Sequence, residues 1–270
     1  MSRGFGIQLY AIRDCIGNEA EVRKALKRLV EAGYDCIEML DLTYEIGDRS
    51  INWGSMLKEY GLRASGMHIM HPIIVDNFEN TLKTLDDLDC KDIIVAASFI
   101  TDMTNREQVV KLTDDLNRLG YEYQKRGCRL HYHNHVMEFS KFDPDAPYCS
   151  YDYLIQNTDP ELVYFELDTY WALLAGGDPY RFFEKIKGRT LCAHMKDAKA
   201  AGGTLDAMSH VSPCTELGQG IMDLQSLWQK AEAAGVKDYI MEVNDYWIDN
   251  DPLKSAEICA DYYHRYLENK

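Results

Sequence analysis

The chain has 270 residues, 46 % of them hydrophobic, and a formal net charge of −15 at pH 7. That length suits one α/β barrel or two small domains, and the apolar share is enough for a sizeable core. With 44 acidic against 29 basic residues and no basic block, it lacks the electrostatic footprint of a nucleic-acid binder, and no apolar run approaches the roughly 18 residues of a membrane span.

In chain order, short β-rich runs predict strands over 5–10, 36–40, 64–69, 92–98, 128–134, 163–168, 190–196 and 239–244. A helical pattern follows each. The first covers 19–32, where Val22, Leu26, Leu29 and Val30 recur at helical spacing; the others cover 51–60, 77–89, 106–126, 150–156, 179–187, 223–234 and 252–268. Gly33, Gly61, Gly127, Gly188 and Gly235 stand at or near five helix ends, as helix-stop chemistry prefers. Eight strand-helix units with no Pro/Ser-rich linker predict a single (β/α)8 TIM barrel over 1–270. A doubly wound open sheet is the runner-up, but no GxGxxG or Walker sequence follows the first strand. The stretch 199–217, with Gly202-Gly203 and His210, is a long connection that suits a lid.

Cysteines at 15, 36, 90, 128, 149, 192, 214 and 259 form no CxxC pair, and several sit in apolar runs. Reduced, buried thiols in a cytoplasmic protein are the expectation. The start, Met-Ser-Arg-Gly-Phe-Gly-Ile-Gln, has no signal-peptide core.

In such a barrel one strand parity packs under helices and must be apolar, while the other points inward and can carry chemistry near the C-terminal rim. Val163, Phe165 and Leu167 take the outer parity of strand six, leaving Tyr164, Glu166 and Asp168 inside. Strand seven turns Cys192, His194 and Lys196 inward, strand eight Ile240, Glu242 and Asn244, strand three His68, and strand two Glu38. Strand five carries His131, His133 and His135 at alternate positions, which in a β-strand share one face. Its end at about Tyr132 puts Asn134 in the rim loop and His133 beside Asp168, His194 and Glu242. Two imidazoles and two carboxylates suit Mn²⁺, Co²⁺, Fe²⁺ or Zn²⁺ better than Ca²⁺.

Around these four expected ligands the residues admit more than one role. His131 lies deeper, as a hydrogen-bonded interior histidine. Glu138 is a supporting partner, a base or a solvated loop acid. Lys196 either stabilises a developing oxyanion or makes a rim salt bridge, with Asp197 pairing to it or ordering the loop. His68 and His71 are candidate substrate contacts, and His264 belongs on the surface. Tyr170, Trp171 and Trp247 follow strand ends, where aromatic faces either meet the apolar side of a sugar ring or close the barrel.

Several stretches resemble the sugar phosphate isomerase/epimerase superfamily of xylose-isomerase-like TIM barrels, which includes inosose dehydratases and ketose 3-epimerases. They include Gly6-Ile7-Gln8-Leu9-Tyr10, Tyr132-His133-Asn134-His135 with Glu138-Phe139, Leu167-Asp168-Thr169-Tyr170-Trp171, His194-Met195-Lys196-Asp197 and Glu242-Val243-Asn244-Asp245. The resemblance implies a divalent metal, usually Mn²⁺, held by Asp168, His194 and Glu242 directly. Ketose epimerases carry a glutamate on strand five where this chain places His133. That departure points to the subgroup with a YHNH segment, some members of which act on 3-oxo sugars, 3-oxo-glycosides or inososes.

The reaction class expected from such a site is α-proton abstraction from a sugar or oxo-sugar through an ene-diolate, leading to an epimer or isomer. Loss of a β-substituent, as in a dehydratase or lyase, is the alternative. Glu242 is the first candidate base, with His133, His135 or Glu138 as opposing acid, and Tyr10, His68, Trp171 and Lys196 as substrate contacts. A metal-dependent endonuclease of abasic DNA is disfavoured by the charge, and a non-catalytic barrel by the converging ligands. The expected partner is a small carbohydrate, with no nucleic acid or membrane, in a homodimer or homotetramer.

Overall fold

The computed structural model describes residues 4–41, 50–97, 99–199, 214–245 and 247–268. Its strands are β1 (Gly4–Gln8), β2 (Cys36–Leu40), β3 (Arg63–Met70), β4 (Asp92–Ala96), β5 (Arg129–His133), β6 (Val163–Asp168) and β7 (Cys192–Met195). Two short strands follow, β8 (Asp197–Ala198) and β9 (Cys214–Thr215), and then β10 (Asp238–Met241). Strands β1-β10-β7-β6-β5-β4-β3-β2 close into a barrel in that order, every neighbouring pair parallel. The eight-stranded barrel expected from the strand-helix alternation is therefore observed.

The helices are α1 (Glu19–Ala32), α2 (Trp53–Tyr60), α3 (His71–Asp76), α4 (Phe78–Asp87), α5 (Arg106–Gln124), α6 (Ser150–Asn157), α7 (Thr169–Leu174), α8 (Pro179–Lys185), α9 (Leu224–Ala234) and α10 (Pro252–Tyr266). Local chemistry sets their ends. Asn18 Oδ1 accepts from the Glu21 amide at 3.0 Å to start α1, and Gly33, at φ 97°, stops it in the left-handed region. Both α3 and α7 are additions to the sequence expectation. Each follows its strand without a linker, and the cap of α7 is Asp168, which from sequence reads as a strand end and an expected ligand but not as a helix cap.

The outer parity builds the core, as expected. Val163, Phe165, Leu167, Leu130, Tyr132, Ala193 and Tyr239 are fully buried under the helices. Stacking reinforces the closing strands, with Phe5 of β1 on Tyr263 of α10 at 4.1 Å and Tyr239 of β10 on Trp228 of α9 at 3.5 Å. Each such buried side chain contributes about 1.5–3 kcal/mol. At the N-terminal end of the barrel, Arg129 grips Asp92 through two bonds of 2.7 and 2.6 Å, joining β4 to β5.

Candidate metal centre

Inward side chains near the C-terminal ends of the strands meet at one place. His133 comes from β5, Glu166 and Asp168 from β6, and His194 from β7, while Lys196 and Glu242 stand one residue past β7 and β10. Gln8 of β1, Glu38 of β2 and His68 of β3 complete the group. All nine are 5 % exposed or less. Burial of so many charges is tolerable only because they are mutually paired.

His194 is the hub. Its Nε2 lies 3.1 Å from both oxygens of Glu38 and 3.4 Å from Glu166 Oε2. Its Nδ1 lies 3.3 Å from Glu242 Oε2 and 3.7 Å from Asp168 Oδ2. The His133 ring is 4.6 Å from that of His194, and its Nδ1 is 2.9 Å from Glu166 Oε2. Donor atoms of His133, Asp168 and His194 all lie within 4.8 Å of one another. Lys196 Nζ sits 2.7 Å from Asp168 Oδ2 and 2.5 Å from Glu242 Oε2.

These separations are short, yet Asp168 Oδ2, His194 Nδ1 and Lys196 Nζ complete no hydrogen bond, because the angles are wrong. Buried charges that converge without hydrogen-bond geometry suit a divalent cation. The donor set of imidazoles and carboxylates fits a first-row transition metal or zinc. Asp168, His194 and His133, with Glu242 adjoining through His194, are thus brought together as the sequence facing requires.

The charges sort themselves by neighbour. Burial pushes His194 toward neutrality, but Glu38 and Glu166 outweigh it and hold its pKa well above the ordinary value. Burial also pushes Glu38 up, but His194 outweighs that and holds it well below the carboxylate range. Burial and then the charge of Glu38 drive Glu166 well above that range. Burial, followed by His194 and His135, keeps His133 neutral, the form that ligates metal. Burial works against the charges of Glu242 and Asp168, yet Lys196 pulls both below the carboxylate range. Against its own burial penalty, those two carboxylates raise Lys196 well above the ordinary lysine value.

The remaining expected site residues fall in varied places. Asp168 divides its labour: Oδ1 caps α7 by accepting from the Trp171 amide at 3.0 Å, leaving Oδ2 for the centre. Asn134 continues the β5–β6 ladder with its side chain, accepting from Asp168 N at 3.0 Å. His135 sits at the rim, its ring 4.8 Å from His133, 4.6 Å from Phe99 and 6.0 Å from Trp171. Burial, then His68 and Lys196, push its pKa down to about 3. Glu138 accepts from the Tyr132 hydroxyl at 2.8 Å and from the His135 amide at 2.9 Å. Because Tyr132 has the outer parity, Glu138 lies behind β5, where it supports the backbone of His135.

His68 packs against His133 at 4.8 Å and meets Glu38, so its place is inside the network. Trp171 lies 5.2 Å from Lys196 Nζ. Tyr10 lies past β1 with its ring against Arg13 at 4.2 Å, and Arg13 reaches Asn244 O at 2.7 Å and packs on Trp247. Tyr10 is therefore tied to the exit of β10. His71 is 3.5 Å from Asp115 in a side groove between α3 and α5. His131 is the expected interior histidine, 2.8 Å from Asp92. Asp197 orders the loop: its oxygens accept from the amides of Ala198, Gly218, Gly220 and Met222 at 2.8–3.0 Å. Of the expected lid, 200–213, including His210, lies outside the described residues.

Gln8, Glu38 and Glu166 were not among the expected site residues. For Glu38 and Glu166 the available signal was an acid of inner parity inside a strand, a position shut off from bulk solvent, whereas Gln8 is uncharged and stands at the end of β1.

The family model described as Xylose isomerase-like TIM barrel matches residues 26–266. The chain belongs to the xylose isomerase-like TIM barrel family. Among curated proteins it is 26 % identical over 221 residues to the inosose dehydratase of Bacillus licheniformis, covering 78 % of this chain and 70 % of that one. It is 25 % identical over 139 residues to the inosose dehydratase of Lacticaseibacillus casei, spanning 45 % of that protein's length. Among solved structures of this barrel type, a sugar phosphate isomerase/epimerase from Parabacteroides distasonis superposes with a TM-score of 0.79 at 23 % identity, covering 100 % of this chain and 96 % of that one. The IOLI protein, described with a binding zinc atom, gives 0.73 at 13 % identity, covering 98 % and 99 %. At these identities the structures speak for the fold. Among the described residues, no helix is long and apolar enough to cross a membrane.

Proposed function

We propose that this chain is a divalent-metal-dependent enzyme that removes the proton beside a carbonyl of a sugar or oxo-sugar, in the manner of an epimerase or isomerase. The observation that carries this is the convergence of His133, Asp168, His194 and Glu242 from four neighbouring strands at the C-terminal end of the barrel. Those four would hold the cation, with Mn²⁺ first and Co²⁺, Fe²⁺ or Zn²⁺ as alternatives. A cation there supplies polarisation of the substrate carbonyl and its neighbouring hydroxyl, which acidifies the α-carbon.

The chain supplies the rest. Lys196 sets an ammonium where negative charge would develop on the substrate oxygens, in a site buried from bulk solvent. Against burial, Lys196 keeps Glu242 ionised, and Glu242 is the first candidate for the base as well as a ligand. His135, at the rim and held in place through its amide by Glu138, is the candidate for the opposing proton carrier. Trp171 offers an apolar wall beside it. Reprotonation of the ene-diolate on the opposite face gives an epimer, and on the neighbouring carbon an isomer.

A second reading keeps the same first half and ends in elimination, with the β-hydroxyl leaving as water. The curated inosose dehydratases are what favour it. Incubating the purified chain with Mn²⁺ and inososes, 3-oxo sugars, 3-oxo-glycosides or ketoses in D₂O tests both. Deuterium should enter the α-position of at least one substrate, stop with a chelator and fall steeply in Glu242→Gln. Exchange that ignores the chelator, or no exchange across the panel, would sink the proposal, while dehydration announces itself by enone absorbance and the mass loss of one water.

A further inference from the structure

We propose that Glu38 is a positioning residue that fixes which nitrogen of His194 faces the cation, so that the inner carboxylates orient the ligands without ligating. The inference rests on the metal reading above. Glu38 is pinned from three strands. Gln8 Nε2 donates to its Oε1 at 2.7 Å, His68 Nδ1 lies 3.3 Å from the same oxygen, and His194 Nε2 lies 3.1 Å from both.

The backbone is built for this. Pairing of β2 with β3 slips between Ile37 and Glu38, so that Ala64 stands opposite Ile37 but Gly66, not Ser65, stands opposite Glu38. Such a bulge re-aims side chains beside a site. Gly66 puts no side chain across from the carboxylate, and a Cβ there would meet Ile94 Cδ1 at 2.5 Å.

A histidine with one ring nitrogen against a carboxylate presents the other to a metal in a fixed orientation. For His194 that other nitrogen is Nδ1, buried, without a hydrogen bond, and facing Glu242 and Asp168. Glu166 stands in the same relation to Nδ1 of His133 at 2.9 Å. A cation taken instead by Glu38, Glu166 and His194 Nε2 is the competing arrangement, since these donors also lie within 4.8 Å of one another. Glu38 favours orientation, because its oxygens already face nitrogens of Gln8, His68 and His194.

Titrating Co²⁺ into the intact chain and into Glu38→Gln, by calorimetry and visible absorption, decides between them. The variant should bind roughly 10- to 100-fold more weakly and reach the same ligand-field spectrum at saturation. Unchanged affinity in a folded variant overturns the inference, and so does an altered saturated spectrum, which would make Glu38 a ligand. If circular dichroism shows Glu38→Gln unfolded, Glu38→Asp carries the same expectation, because it keeps the charge but withdraws it by one methylene. If the unmodified chain takes up no Co²⁺, the metal reading falls and takes this one with it; if only the variant comparison fails, the metal reading stands.

Discussion

Lys196 carries its ammonium into a place buried from bulk solvent, and its two carboxylate partners are buried with it. Replacing it with methionine leaves Asp168 and Glu242 ionised with His194 as the remaining cationic neighbour. Breaking a buried pair in this way is expected to destabilise the metal-free protein by about 3–5 kcal/mol, measured by urea denaturation. Added Mn²⁺ should then recover more stability in Lys196→Met than in the unmodified chain, and a variant equally stable without metal would count against the pairing. The pH sign follows from the raised lysine pKa: its contribution is complete below the unfolded value of about 10.4 and is lost as pH rises through the folded one. The deficit should therefore narrow only in strong alkali. At this scale, Asp168, His194, Glu242 and His133 were legible in the sequence, because strand parity alone aims them inward. The behaviour of Glu138 was not, because its bond to the Tyr132 hydroxyl depends on how the loop folds back behind β5.

Between elements, short polar devices fix what the apolar pattern leaves free. Asp92 of β4 holds Arg129 and His131 of β5, and despite the upward push of burial these partners lower its pKa below the carboxylate range. Its stabilising effect is thus present above the unfolded pKa of about 3.9 and is lost as pH falls through the folded value. Asp92→Asn should lower stability by about 1–3 kcal/mol at neutral pH, with the difference shrinking on acidification. Equal stability curves from pH 7 down to acid unfolding would refute this. Asp197 does comparable work for the loop after β7, and Asp197→Ala, which strands four backbone amides, should cost about 2–3 kcal/mol by thermal denaturation. The close approach of Gly220 explains why the loop needs a glycine there, since a Cβ would stand 2.3 Å from Asp197 Oδ1. Long helices such as α1 and α5 were readable from periodicity and their stops. The six-residue α7 was not, because its cap is a site residue and it is too short to show a period.

Across the whole molecule, the barrel and the proposed cation are thermodynamically linked. Any ligand that binds only the folded state adds stability, about 2.7 kcal/mol at a concentration 100 times its Kd. Mn²⁺, Zn²⁺ or Co²⁺ should accordingly raise the Tm, a chelator should reverse the rise, and His194→Ala should abolish it. A metal-induced shift of the same size in His194→Ala would place the cation elsewhere. The strand-helix alternation and the two parities were enough to specify a closed parallel barrel and its mouth, because each strand must bury one face under helices whatever its neighbours are. Sequence by itself therefore determined the architecture and the four donors expected to line its rim. Only the tertiary structure decided that Glu38 and Glu166 stand behind the two histidines, that Lys196 lies between Asp168 and Glu242, that Tyr10 packs on Arg13 and that His71 lines a groove between α3 and α5. Those relations depend on register, on the bulge opposite Glu38 and on distances across the barrel, which no local pattern in a single strand encodes.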